Sequence, residues 1–204
     1  LLESVQKNSN NDITISAVRQ SSAKGLGHAI LCARDLIINQ PFAVLLPDVI
    51  VRSKENTAHK NTMMELIKQF ETTHSSQLLV EEVDRSEVNK YGVVELENAG
   101  LTINRSKPLK SIVEKPQPKD APSNLAVVGR YVFSSGIWQH LENTNPGIGG
   151  EIQLTDAIAA DSRNGKLFGF EFEGRRFDCG QPAGFAEATI AMAGLSQEKH
   201  LKAA

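Results

Sequence analysis

The chain has 204 residues, 40% of them apolar and 23% charged, with a formal net charge of −2. Such a length fills one good-sized α/β domain or two small ones; the near-neutral balance offers nucleic acid no basic surface, and no apolar run is long enough to span a bilayer. The two cysteines, Cys32 and Cys179, share no metal-ligand spacing and predict no disulfide framework, so a reducing cytoplasm is the expected compartment.

Leu1 to Val5 reads as the tail of a helix, without the layout of a signal peptide. Asp12 to Val18 alternates Ile13, Ile15 and Ala17 with polar residues, which predicts a strand with one covered face. From Ala23 to Arg34 a glycine pair, Gly25 and Gly27, runs into a helical apolar pattern. It is either a tight turn before a core helix or a helix start open to an anion or a carbonyl oxygen. Phe42 to Leu46 is apolar without alternation, which suits a strand buried on both faces of a parallel sheet. Pro47 stops its ladder and leaves Asp48 at the carboxyl end, where open α/β sheets take their ligands. Asp48 is there either a hard oxygen ligand for Mg²⁺ or the cap of the next element.

Ser53 to Asn61 is polar and predicts a loop. Met63, Met64, Leu66, Ile67 and Phe70 then form a helical stripe for the core. Strands are expected over Gln77–Val83 and Tyr91–Leu96, with Gly92 marking a bulge or a place where a ligand approaches. Leu109 to Pro116 is a strand ending in Glu114-Lys115. That pair is either a surface ion pair or an acceptor for sugar hydroxyls beside a cation for phosphate. Asn124 to Ser134 is a second continuous apolar strand, broken at Gly129. Ile137, Trp138 and Leu141 predict a short helix, and Thr155 or Asp156 caps another. Leu167 to Phe172 alternates as a strand. Asp178 stands at another element boundary, and Phe185 to Leu195 is a closing helix before a charged tail. Strands and helices alternate throughout, which argues for α/β.

Singly these signals are ambiguous; their order is specific. Gln20, Ala23-Lys24-Gly25-Leu26-Gly27-His28-Ala29, Leu46-Pro47-Asp48-Val49, Tyr91-Gly92-Val93-Val94, Val113-Glu114-Lys115-Pro116, Pro122 to Tyr131, Gly150 to Asp156 and Asp178-Cys179-Gly180 follow one another. In that succession the chain resembles the bacterial UTP–glucose-1-phosphate uridylyltransferases from about Leu1 to Leu195. The resemblance implies one nucleotidyltransferase domain over residues 1–204, with a Rossmann-like, mostly parallel sheet, helices on both sides and a sugar-side lobe. It implies that Gln20 and Gly25 read uracil, that Asp48 and Asp178 hold Mg²⁺, and that Gly92, Val128 and Gly129 line the sugar pocket. It further implies that Glu114 binds glucose hydroxyls, that Lys115 meets the sugar phosphate, and that Glu151 and Asp156 are structural. UTP, glucose 1-phosphate and UDP-glucose are the implied ligands, in a cytoplasmic homo-oligomer.

The chemistry suits those residue types. A phosphate oxygen of glucose 1-phosphate attacks the α-phosphorus of UTP and pyrophosphate leaves. Two polyanions must therefore be brought together between cations, and the nucleophile, already ionised, needs no base. Two departures stand out. Ser21 follows Gln20 where the family has glycine, and the glycine-rich Gly-x-Gly-Thr-Arg loop that grips the triphosphate is absent. The expectation is a fragment that binds UTP poorly. The alternatives are a catalytically silent relative and a glycosyltransferase, though the latter's Asp-x-Asp run is not found at Asp48.

Overall fold

The computed structural model describes residues 14–53, 62–97, 105–163, 167–172 and 174–193. Strands are β1 Phe42–Leu45, β2 Val49–Ser53, β3 Ser76–Glu82, β4 Gly92–Leu96, β5 Ser106–Glu114, β6 Leu125–Phe133, β7 Leu167–Glu171 and β8 Gly174–Asp178. Helices are α1 Gly25–Leu31, α2 Arg34–Ile37, α3 Thr62–Thr73, α4 Ile137–Asn143, α5 Leu154–Ser162 and α6 Pro182–Met192. The helix expected at Leu1–Val5, the loop from residue 54 to 61 and the charged tail lie outside the described residues.

Six strands form a sheet in the order β1-β6-β3-β7-β5-β4, while β2 and β8 make a separate antiparallel ribbon. The α/β class is as expected. Within the described sheet, β3 and β7 run parallel and the other pairings are antiparallel, so the sheet is mixed.

β6 organises it. One edge pairs with β3; the other is shared by β1, along Arg130 to Phe133, and by β4, at Leu125 and Ala126. Val127, Val128 and Gly129, between those two partners, have no strand beside them on that edge among the described residues. The sheet opens there.

Side-chain alternation along β6 explains the two layers. Val127, Tyr131 and Phe133 face one side and join Ile30 of α1, Trp138 and Leu141 of α4, and Leu154 and Ile158 of α5. Val128 and Val132 face the other side and pack with Leu79, Phe170 and Leu66 of α3. Leu66 is fully buried, and Met63 and Phe70 flank it, three and four positions away. Met64 and Ile67, expected in the same stripe, are rotated off it and stay 45% and 39% exposed.

Two strand expectations are corrected. Thr14 to Gln20 has no regular structure, and Ile15 is 90% exposed; an alternating pattern forms a strand only where another strand supplies its ladder. β1 is not a doubly buried parallel strand. It lies at the sheet edge, antiparallel to β6, with Phe42 and Val44 turned to the core and Ala43 and Leu45 exposed.

Candidate functional site

The opening beside Val127 to Gly129 is the floor of a cleft of about 410 Å³. Its walls are the carboxyl ends of β5 and β8, the head of β4, the start of α5 and the turn after β1. Asp48, Gly92, Glu114, Lys115, Val128, Gly129 and Asp178 all line it. These are seven of the nine residues singled out from the sequence.

The two aspartates meet through the β2–β8 ribbon. Val49 pairs with Asp178 across it, and Cys179 N–H donates to the Asp48 carbonyl at 2.7 Å. Gly180 then turns the chain so tightly that a Cβ there would sit 3.2 Å from Asp178 Oδ1 and 3.3 Å from Asp48 Oδ2. The two carboxylates thus converge on one small space that only a glycine leaves open. Two carboxylates sharing such a cradle supply hard oxygen donors and leave remaining positions for phosphate oxygens and water, the donor set Mg²⁺ prefers. The residues fit that ion.

Across the cleft, Glu114 closes β5 and Lys115 follows it in a left-handed conformation (φ 44°), uncommon outside glycine and concentrated at functional sites. The backbone is tied there by Lys115 N–H to the Tyr91 carbonyl, 2.9 Å. Lys115 Nζ stands 3.8 Å from Glu114 Oε1, with 61% of its side chain in solvent, so the ammonium is loosely held and free to swing to an anion. Gly92 lies beneath; a Cβ on it would meet Thr155 Oγ1 at 3.2 Å and Glu114 Oε2 at 3.3 Å.

Sequence reasoning missed three residues here. Thr155 does not cap α5, which begins at Leu154 after Gln153 with no side-chain cap; Asp156 also lies inside the first turn. Thr155 Oγ1 instead donates to Glu114 Oε2 at 2.6 Å, leaving Oε1 toward the cleft side where Lys115 stands. Arg176 donates from Nε to Glu81 Oε2 at 2.6 Å and from Nη2 to Tyr91 Oη at 3.2 Å, with its guanidinium over the Tyr91 ring. Burial works against its charge, but the Glu81 carboxylate and the Tyr91 hydroxyl together outweigh it, so Arg176 stays a fixed cation in the wall. Tyr131 is the third. Burial, and then the nearby Glu114 charge, pushes its phenol up, so the hydroxyl remains neutral. Tyr131 ends the Pro122–Tyr131 block, but that block reads as a core strand and gives the phenol no role; Arg176 lies on β8, Gly-Arg-Arg-Phe-Asp, which carries no strand signal of its own. Glu151, expected to be structural, also faces the cleft.

Gln20 and Gly25 stand apart from the lining. Gln20 Nε2 donates to the Gly25 carbonyl at 3.1 Å and contacts His28 Nδ1 at 2.9 Å. α1 is fastened to the Glu151–Gln153 segment by Gly27 N–H to the Ile152 carbonyl and Ile152 N–H to the Lys24 carbonyl, at 2.9 and 2.8 Å. This shelf adjoins the cleft through Leu26 and Glu151.

The sequence profile of the nucleotidyl transferase family matches residues 1–193. The chain belongs to that family. Within it, the chain is 45% identical over 199 residues to the UTP–glucose-1-phosphate uridylyltransferase of Haemophilus influenzae, covering 98% of this chain and 67% of the relative. A UDP-glucose pyrophosphorylase complexed with UDP-glucose superposes with a TM-score of 0.81 at 39% identity, over 89% of this chain and 66% of that one. The UTP-bound UGPase from Acinetobacter baumannii gives 0.84 at 36% identity, over 96% and 66%. The chain spans about two thirds of the length of the relatives it matches. No helix among its described residues is long and apolar enough to cross a membrane.

Proposed function

We propose that the protein carrying this chain transfers a uridylyl group from UTP to glucose 1-phosphate, forming UDP-glucose and releasing pyrophosphate. The carrying observation is the cleft itself: a paired-aspartate cradle and an exposed lysine line one cleft with a glycine floor, and a hydrogen-bonded glutamate stands beside the lysine. In the reaction, a phosphate oxygen of the sugar phosphate forms a bond to the α-phosphorus of UTP. The bond from that phosphorus to the bridging oxygen breaks, and pyrophosphate carries the electron pair away. No proton moves in the step.

Asp48 and Asp178 hold Mg²⁺ in this reading; when bound, the ion neutralises charge on the nucleotide phosphates. Lys115 meets the incoming sugar phosphate and offsets its repulsion from the nucleotide. Glu114, oriented by Thr155, accepts hydrogen bonds from glucose hydroxyls, and the absent side chain at Gly92 lets the ring lie against the floor. Val128 and Gly129 shape the sugar pocket. Gln20 and Gly25 read the uracil edge; the bonds of the Gln20 amide to Gly25 and His28 support this by fixing its orientation before a ligand arrives. A cytoplasmic homo-oligomer is part of the same reading.

The test measures pyrophosphate release from UTP and glucose 1-phosphate in the protein and in its Asp178→Asn form. Release that falls by about 100-fold or more on that substitution is expected. Binding of UDP-glucose with no release in the unsubstituted protein would overturn the enzymatic reading in favour of a silent sugar-nucleotide binder, and sugar transfer to an acceptor in favour of a glycosyltransferase.

A further inference from the structure

The geometry points to Arg130 as the positioning residue of the metal cradle, acting through Asp48. This rests on the reading of Asp48 as a metal ligand and adds the device that places it. Asp48 sits in a turn between β1 and β2. No hydrogen bond to its carboxylate is found among the described residues, so the position of its oxygens is set by the backbone that carries it.

Arg130 grips that backbone on both sides. Its Nη1 donates to the carbonyls of Leu46 and Gly129, each at 2.9 Å, and its Nη2 donates to the carbonyl of Val49. Leu46 and Val49 bracket Pro47 and Asp48, so one planar guanidinium spans the turn from end to end. The same turn is tied to β6 by Leu46 N–H donating to the Gly129 carbonyl at 3.0 Å. Gly129, next to Arg130, has φ 68°, and a Cβ there would sit 3.1 Å from both Leu46 Cδ1 and Val49 Cγ2. Glycine lets β6 approach the turn closely enough for the arginine fork to close over it.

Arginine suits the task for two reasons. A guanidinium presents donors in a fixed plane and so satisfies two divergent carbonyls at once, whereas an ammonium is a single point on a flexible stem. Its charge also faces Asp48. Burial draws Arg130 below the usual arginine range, while the Asp48 carboxylate pulls the other way. The guanidinium thus sets its charge beside the turn without occupying the Asp48 oxygens, one of which borders the space beside Gly180 together with Asp178.

The experiment compares Arg130→Lys and Arg130→Met with the unsubstituted protein and Asp48→Asn. Mn²⁺ affinity is read by electron paramagnetic resonance at saturating UDP-glucose, and amide exchange is read at Val49 and Cys179. In the unsubstituted protein Mn²⁺ binds, and Asp48→Asn abolishes that binding. Arg130→Met weakens Mn²⁺ about 10-fold or more, in keeping with losses seen when groups orienting a metal ligand are removed, and speeds exchange at Val49 and Cys179. Arg130→Lys falls between the two, since one carbonyl regains a donor, and its UDP-glucose affinity in the absence of metal is unchanged. Mn²⁺ affinity unchanged in Arg130→Lys, with Asp48→Asn still abolishing binding, overturns the clamp and spares the metal reading. Mn²⁺ bound equally well by Asp48→Asn, or not at all by the unsubstituted protein, overturns both. Arg130→Lys keeps the charge and most of the volume, so the comparison survives if the methionine variant fails to fold.

Discussion

Thr155 offers a sharp test of how the cleft is wired. Its hydroxyl donates to Glu114 Oε2 at 2.6 Å, a short bond to a charged acceptor, and Glu114 keeps 27% of its side chain exposed. Hydrogen bonds to charged groups contribute about 1.5–3 kcal/mol, and water reaching Glu114 repays part of any loss. Replacing Thr155 by valine, which keeps the shape and removes the donor, should therefore cost about 1–2 kcal/mol of sugar binding, or roughly 5- to 30-fold. Because Glu114 is proposed to touch glucose hydroxyls and not the reacting phosphates, the loss should fall on KM for glucose 1-phosphate, with kcat within about twofold. Steady-state pyrophosphate release at fixed UTP, with varied sugar phosphate, reads the split. Thr155→Ser, which restores the donor, should recover most of the affinity. A Thr155→Val protein with unaltered KM, or one whose kcat alone falls, would refute the idea that this hydroxyl sets the orientation of Glu114.

Gly180→Ala places a methyl 3.2 and 3.3 Å from the Asp178 and Asp48 oxygens, so Mn²⁺ affinity should drop about 10-fold with little change in melting temperature, read by titration and calorimetry. Gly92→Ala intrudes on Thr155 and Glu114 at 3.2 and 3.3 Å, and UDP-glucose affinity by calorimetry should weaken where Gly149→Ala, far from any neighbour within 4 Å but strained at φ 74°, affects stability alone. Leu66→Ala empties a fully buried site between α3 and the sheet and should cost about 2–5 kcal/mol in urea unfolding. Tyr131 bears on alkaline stability. Its phenol is raised above its unfolded value of 10.0, so above that pH the unfolded chain loses the proton first. The contribution is therefore complete below pH 10 and declines as pH rises toward the folded value. Tyr131→Phe should flatten that alkaline decline in thermal melts, and an unchanged slope would rule the residue out as its source.

Local pattern carried much of this molecule. The apolar run of β6, the strand ending at Glu114 and the short helix at Ile137 form where their spacing places them, because side-chain period and chain-breaking residues act over a few neighbours. The positions that line the cleft were legible as well: aspartates and a glutamate–lysine pair left at strand ends by proline or glycine, where a ladder must stop.

Partnership was decided only by the tertiary structure. Nothing in Phe42 to Leu45 says that its neighbour is antiparallel β6 or that one face stays open, because burial depends on what chain lies alongside. The alternation near Ile15 could not supply its own ladder. Asp48 and Asp178 lie far apart in sequence, and it is the β2–β8 ribbon that brings them to one cradle. Arg130 and Thr155 show the limit most clearly. One lies unremarked in a strand that reads as core and the other reads as a helix cap, yet each has a hydrogen-bond partner 81 or 41 residues away. A sequence pattern reports which face a side chain takes, and only the packed fold determines what that face meets.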